Sequence, residues 1–392
     1  MIKKVSFNTN EVLPSLSLAV SIVNQKNTIP ALDSVHVMSS VTEDGERKMS
    51  FTTSDSETWF ETCISYKNED DDDDIDLCID AKSLLQAIRN LGEQHVVMHV
   101  DDENHEVMFR YENGFFSMPY SDASEFPTPD LLLSSLKDRN NHKRVPAQKM
   151  SNALTKTIPF TIEDELIPIL GGVKIDFYAD GMVAAATDSR KLVKYKDLTV
   201  THNGVEQSVL GYVLRRKTCA LLANVFQTVT DDEMVEIYFN TSVVRMNCGN
   251  NFITSRLVEG TYPNYDSVIP LDNNIVVELD RNMIVNAIKR VMPLGNNETD
   301  LVILDFKESM LTICAEDLDY GTSATENIPC EYAYEPLKIG LKGRSLLQTL
   351  QNVDGENVRM MFRNPQSAVV VTPSDTNGNI EHLSLLMPMK LS

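Results

Sequence analysis

The chain repeats itself at a domain-sized spacing, and that constrains its architecture before any other feature does. Ile29-Pro30-Ala31-Leu32-Asp33-Ser34-Val35-His36-Val37 returns as Ile167-Pro168-Ile169-Leu170-Gly171-Gly172-Val173-Lys174-Ile175. Both stretches read Ile-Pro-x-Leu-x-x-Val-x-aliphatic. A looser third copy, Thr299-Asp300-Leu301-Val302-Ile303-Leu304-Asp305-Phe306, follows later in the chain. A period this long means copies of a whole domain rather than the turns of a solenoid. The expectation is three copies of one α+β domain.

A chain of 392 residues has room for two or three domains. Its 42% hydrophobic content suffices for real cores. No apolar run is long enough to span a bilayer. Met1-Ile2-Lys3-Lys4-Val5-Ser6-Phe7 has basic residues but no apolar h-region, so no signal peptide is expected and a cytoplasmic location follows. The six cysteines lie in or beside apolar stretches without CxxC spacing, which reads as reduced, buried thiols. The formal charge of −22 argues against tight wrapping of nucleic acid if it is spread evenly. It does not if the bases are segregated on one face, so distribution matters more than the sum.

Each third reads helix, strands, helix, strands. In the first, Val12, Leu13, Leu16, Val20 and Val23 give helical spacing over Glu11–Gln25. Strands follow near 35–37, 49–53 and 59–65. A second helix starts behind Asp80 as N-cap and stops at Gly92, with strands at 95–100, 106–111 and 114–120 after it. The second third places helices over 147–157 and 214–225, with strands at 172–178, 182–187, 191–198, 234–240, 242–247 and 251–257. The last places helices over 281–292 and 343–353, with strands at 301–306, 310–315, 358–363, 368–372 and 382–387. Polar linkers at 135–143 and 270–274 divide the chain into domains 1–141, 142–270 and 271–392. The acidic run Asn68–Asp74 reads as a solvated loop tip without the rigid geometry a metal needs.

Catalytic chemistry has no visible home. There is no P-loop, GxGxxG, HExxH or GxSxG pattern. His95 and His99 share one face of a predicted strand but sit roughly 13 Å apart, too far to share an ion. Asp188 reads as a turn residue accepting from nearby backbone N–H groups. No cofactor and no metal are expected.

Four further segments carry a family resemblance. They are Ala186-Thr187-Asp188-Ser189-Arg190-Lys191-Leu192, Glu259-Gly260-Thr261-Tyr262-Pro263-Asn264-Tyr265 with Val268-Ile269-Pro270, Asn357-Val358-Arg359-Met360-Met361, and Leu386-Met387-Pro388-Met389-Lys390-Leu391. In order and in register with the repeat, they resemble the bacterial DNA polymerase III β subunit, the sliding clamp family. The first corresponds to the family's Ala-Thr-Asp-Gly-His-Arg-Leu. This chain departs from the pattern at Ser189-Arg190-Lys191, in its aspartate run and in Ser392 after the usual closing Leu.

The resemblance implies a head-to-tail homodimer closed into a ring, with no enzymatic activity of its own. Its partners would be duplex DNA without sequence preference, a second copy, the polymerase III catalytic subunit, the clamp loader and other proteins bearing a clamp-binding motif. The DNA-facing lumen would use Lys26, Lys82, Arg89, Lys149, Lys156, Arg215, Arg216, Lys217, Arg281, Lys289, Arg290 and Arg344. The bases do gather on the predicted helices, as that requires. A peptide cleft would use Leu170, Thr187, Ser189, Arg190, Leu192, Pro263, Val268, Leu385, Met387, Pro388, Met389, Lys390 and Leu391. Flexible, polarizable Met side chains suit varied apolar anchors. Leu192 and Val268 also read as plain packing residues. Replacing His-Arg by Arg190-Lys191 is expected to alter charge at the cleft rim. The ring seam would set Phe116 and Met118 against Met292 and Leu294. Phe116 and Met118 equally suit the interior of their own domain. Two rivals stay open, a monomeric scaffold of the same fold that never closes on DNA and a polymerase-independent peptide-binding hub.

Overall fold

The computed structural model describes residues 2–24, 27–41, 45–66, 75–136, 141–162, 166–201, 210–230, 232–375 and 378–391. Lys26, Ser392 and the Asp70–Asp74 run lie outside the described residues. Among the described residues one module, strand-helix-strand-strand-strand, occurs six times. The first is β1 (Ile2–Asn8), α1 (Thr9–Val20), β2 (Ser34–Val41), β3 (Arg47–Ser54) and β4 (Thr58–Ser65). The second is β5 (Asp76–Asp80), α2 (Ala81–Leu91), β6 (His95–Asp101), β7 (Glu106–Tyr111) and β8 (Gly114–Asp122), trailed by the short α3 (Asp130–Ser134). The third is β9 (His142–Pro146), α4 (Ala147–Thr157), β10 (Gly172–Tyr178), β11 (Gly181–Thr187) and β12 (Lys191–Asp197). The fourth is β13 (Leu210–Arg215), α5 (Arg216–Gln227), β14 (Met234–Phe239), β15 (Val243–Cys248) and β16 (Asn251–Arg256). The fifth is β17 (Ile275–Asp280), α6 (Arg281–Val291), β18 (Leu301–Lys307), β19 (Met310–Asp317) and β20 (Thr322–Pro329). The sixth is β21 (Leu337–Lys342), α7 (Gly343–Asn352), β22 (Asn357–Phe362), β23 (Val369–Pro373) and β24 (Ile380–Leu386).

Every module's helix begins on the residue after a strand. Those leading strands, β1, β5, β9, β13, β17 and β21, are the ones hydrophobic periodicity does not reveal, together with β20. They are short, and no turn residue separates them from the helical pattern that follows. The helix expected from Leu214 therefore starts at Arg216, and Arg215 closes β13 instead. Likewise α1 starts at Thr9 and stops at Val20, short of the expected Gln25. The expected caps of α2 are present. Ser83 N donates to Asp80 Oδ1 at 2.8 Å, and Gly92 takes φ +69°, which favours glycine.

Leading strands are exchanged between paired modules. β1 pairs with β6 and β5 with β2, β9 with β14 and β13 with β10, β17 with β22 and β21 with β18. All pairs are antiparallel. The chain divides into two compact bodies, residues 1–151 with 217–257 and residues 152–216 with 258–392. The first carries a twelve-stranded sheet, β1-β6-β7-β8-β5-β2-β3-β4-β16-β15-β14-β9. The second carries an eight-stranded sheet, β13-β10-β11-β12-β24-β23-β22-β17, and a four-stranded one, β20-β19-β18-β21.

Alternation along the strands and the i, i+4 stripe of each helix explain the cores. Leu84 and Ile88 of α2 join Leu16, Val35 and Phe109 in one apolar core of the first body. Ile284 and Ile288 of α6 join Leu346, Phe306 and Phe362 in the second. Each such fully buried side chain contributes about 1.5–3 kcal/mol. The repeated Ile-Pro-x-Leu sequence forms a 3₁₀ turn in both copies, at Pro30–Asp33 and Pro168–Gly171, and delivers the buried Val35 and Val173 onto β2 and β10. No described helix is long and apolar enough to cross a membrane.

Candidate peptide cleft and basic helix faces

A small apolar cluster, separate from the main cores, lies on the second body. Val183 and Ala185 of β11, Leu192 of β12 and Leu385 of β24 meet Tyr265 there. Tyr178, Tyr262, Ile269 and Ala368 pack around them. The β12–β24 register places Leu192 opposite Leu385. Tyr265 is anchored by its hydroxyl, which donates to Asp176 Oδ2 at 2.9 Å. Burial pushes the Tyr265 phenol well above its ordinary pKa, with Asp176 adding to the effect. A charged pair borders the cluster, Lys194 Nζ to Asp266 Oδ1 at 2.6 Å.

The β11–β12 turn, Asp188–Arg190, carries several of the candidate residues. Asp188 Oδ1 accepts from Arg190 N at 2.9 Å and Lys191 N at 2.8 Å, the turn role its sequence predicts. Thr187 Oγ1 donates to Lys191 O at 2.8 Å and accepts from Ser189 N at 3.1 Å. Ser189 sits at φ +75°, a region glycine prefers, and it stands where the family motif has glycine. Met387 N donates to Arg190 O at 2.8 Å, tying the segment after β24 to this turn. Lys191, expected at the rim, is buried instead. Its Nζ donates to Pro159 O at 2.7 Å and to Gln348 Oε1, and lies 5.1 Å from the Phe160 ring centroid. Burial lowers its pKa, with Arg216 and Lys342 adding to the effect and Asp188 opposing it. Only Arg190 of that pair is exposed.

The remaining cleft candidates are dispersed around this centre. Leu170 is buried at the end of its 3₁₀ turn. Pro263 and Val268 are exposed on the segment that carries Tyr265. Met387 and Lys390 are exposed, and Pro388, Met389 and Leu391 are half-buried. Met389 N donates to Gly340 O at 2.8 Å, so this segment docks on the outer edge of β21. Periodicity did not single out Val183, Ala185, Tyr262 or Tyr265 as members of the cluster. The available signal was the alternation Val183-x-Ala185 and the Tyr-x-x-Tyr spacing.

Among the described residues, the candidate lumen bases lie on helices except Arg215, which ends β13. Lys82 and Arg89 are an i, i+7 pair on α2, and Lys149 and Lys156 on α4. Several are engaged by the fold. Lys217 Nζ donates to Ile22 O at 2.5 Å, Asn24 Oδ1 at 2.7 Å and Asp55 Oδ2 at 2.8 Å. Lys156 Nζ donates to Asn352 O and Asp354 Oδ1, each at 2.6 Å. Arg290 makes a forked pair with Glu326, which raises the guanidinium pKa and lowers that of the carboxyl. Arg281 Nη1 donates to Val353 O at 3.1 Å, and Arg344 N to Asp300 Oδ2 at 2.9 Å. Arg216 and Lys149 are half-buried. Lys82, Arg89 and Lys289 are exposed and carry no ion pair among the described residues. Phe116 and Met118 are half-buried against their own core, Phe116 stacking on Phe109 with centroids 4.8 Å apart. Met292 and Leu294 lie on the 3₁₀ turn after α6, which packs on β19 and β20.

Six modules taken two at a time, with helices on antiparallel sheets, define the clamp class of repeat proteins. Three family models match in chain order, the N-terminal, central and C-terminal domains of the DNA polymerase III beta subunit, over residues 3–130, 144–264 and 266–390. The chain belongs to that family and is a beta sliding clamp, a non-catalytic processivity factor. It is 26% identical to the beta sliding clamp of Synechococcus elongatus over 386 residues, covering 97% of this chain and 98% of that protein. It is 23% identical to that of Caulobacter vibrioides over 394 residues, covering 99% and 100%. The crystal structure of the DNA polymerase III subunit beta from Pseudomonas aeruginosa matches with a TM-score of 0.87 at 21% identity, with 100% of each chain covered.

Proposed function

We propose that two copies of this chain close head to tail into a ring around duplex DNA, slide on it without sequence preference, and tether a polymerase and other partners. In this reading the domains are 1–141, 142–270 and 271–392, each one pair of modules, and the protein works in the cytoplasm. The observation that carries the reading is the sixfold module, which supplies two helices per domain and places bases on those helices. Phosphate attraction from Lys82, Arg89, Lys289 and the other helix bases is independent of sequence, so it favours no register on the duplex. Retention then comes from topology, not affinity. The seam brings Phe116 and Met118 of one copy to Met292 and Leu294 of the other.

The cleft around Leu192 and Leu385, with Thr187, Ser189, Arg190, Leu170, Pro263, Val268 and the Met387–Leu391 segment as walls, takes a short apolar peptide from the polymerase, the clamp loader or another protein bearing such a motif. An apolar floor with aliphatic and Met walls has the geometry of a binding hot spot. The test is retention on a nicked circular plasmid after loading. Linearising the plasmid should release the protein, and equal retention on both forms would replace encirclement with ordinary binding.

A further inference from the structure

We propose that the corner between β1 and β4 in the first body takes an extended, basic peptide segment of a partner protein as an added strand. This goes beyond the clamp reading, and the site is separate from the cluster around Leu192 and Leu385. The chain itself shows how such a corner closes. In each even-numbered module, the chain at or just after the end of the last strand returns to the outer edge of that module's leading strand. Ser121 stands opposite Cys78 on β5. Val258 N donates to Val213 O on β13 at 3.0 Å, and Met389 N donates to Gly340 O on β21 at 2.8 Å. Cys78, Val213 and Gly340 each lie two residues before the end of their strand. Counting along the ladders makes Ser121, Val258 and Met389 equivalent as well. One register therefore closes three corners.

β1 leads the first module, and among the described residues it has a strand partner, β6, on one side only. The carbonyl that matches those of Val213 and Gly340 belongs to Ser6, two residues before the end of β1. Beside it lies a groove of about 690 Å³, with Ser6 and Phe7 on one wall and Cys63 to Tyr66 at the end of β4 on the other. That volume is in the range of ligand sites, about 300–1,000 Å³. β4 pairs with β16 only as far as Thr62, and Cys63 N donates to Asn250 O at 2.9 Å. Ile64 and Ser65 pair with β3 on one side and with no strand on the other among the described residues. Two strand edges thus border one groove, and an unpaired edge is a template for strand addition.

The side chains select the occupant. Phe7, Ile64 and Tyr66 are buried and give the groove apolar contacts for alternate side chains of an added strand. Glu11, exposed in the first turn of α1, is the one carboxylate among the lining residues, and no lysine or arginine lines the groove. Its Oε1 accepts from Asn8 Nδ2 at 3.3 Å, which holds the carboxylate at the groove's edge. A lysine or arginine in the occupant would complement that charge. Hydrogen-bonding capacity is also left beside the groove. Thr62, two residues before Ile64 on the same face of β4, is buried with its Oγ1 unpartnered among the described residues, and so is Oδ1 of Asn251 opposite it. An occupant that brings its own backbone N–H and C=O groups and a basic side chain matches this set. A purely apolar one does not.

The test is selection of a random peptide library displayed on phage against the full chain, followed by affinity measurement on the enriched peptides. Selection should enrich sequences that alternate apolar and polar residues and carry a lysine or arginine. Ser65→Arg and Ser15→Arg each put a bulky cation into the groove and should weaken those peptides by about tenfold or more. Two variants are used so that one remains if the other loses the native circular dichroism spectrum. Glu11→Gln should weaken the same peptides by about threefold and reduce their sensitivity to salt. Deleting residues 387–392 should leave their affinity unchanged, which separates this groove from the proposed cleft. Absence of enriched peptides, or peptides that bind both arginine variants as well as the parent, would overturn the site. Enrichment of acidic peptides, or indifference to Glu11→Gln, would overturn the basic occupant.

Discussion

Residue-level choices in the β11–β12 turn and in one strand junction set measurable energies. Ser189 holds a left-handed backbone that costs a non-glycine residue of the order of 1 kcal/mol. Ser189→Gly should raise stability by about 0.5–1 kcal/mol in urea unfolding, and a loss would show that the Ser side chain supports the turn. His382 faces Tyr195 across the β12–β24 pair with both ring nitrogens unpartnered among the described residues. Burial pushes its pKa down to about 4, with Lys156 adding to the shift and Asp354 opposing it. The unfolded chain, near 6.5, binds the proton first. Stability from this group is therefore complete above pH 6.5 and declines as pH falls toward 4, by on the order of 3 kcal/mol. His382→Phe should flatten the stability profile between pH 6.5 and 4, and an unchanged slope would assign that dependence to other groups.

At the scale of elements, the recurring device is a strand that becomes a helix without a loop. At two of those corners an aspartate that ends the strand caps the helix, Asp80 for α2 and Asp280 for α6, whereas Asn8 and Lys342 make no such bond. Asp280 does this for α6, its Oδ1 accepting from Met283 N at 2.7 Å. Asp280→Ala should cost about 1 kcal/mol in denaturant unfolding. The Met387–Leu391 segment depends on Gly340 in a similar local way. A Cβ there would meet Leu391 Cδ2 at 2.7 Å and Leu301 Cδ1 at 2.9 Å. Gly340→Val should undock the segment, seen as faster hydrogen exchange at the Met389 amide. Helices were the legible elements, because an amphipathic stripe such as Leu84 and Ile88 is written locally. The leading strands were not, because β5 or β13 earns its conformation only from a partner strand in another module.

Across the whole molecule, the β4–β16 and β12–β24 junctions share a single geometry, and changes at the proposed cleft and at the proposed seam should separate. Deleting residues 387–392 should abolish capture of a clamp-binding peptide and leave the dimer intact on sizing. A monomeric product would instead place that segment in the seam. Salt should strip the protein from linear DNA far more readily than from closed circles, because the electrostatic attraction falls with ionic strength and encirclement does not. The repeated Ile-Pro-x-Leu segment, the helix stripes and the clustering of bases on helices were determined by sequence alone, since each depends on neighbours a few residues apart. Tertiary structure alone decided that Lys191 is buried, that Val183 and Tyr265 join one apolar cluster, and which strand edges stay open among the described residues. Those facts depend on pairings between residues far apart in the chain, such as Leu192 with Leu385, and local periodicity carries no information about register at that distance.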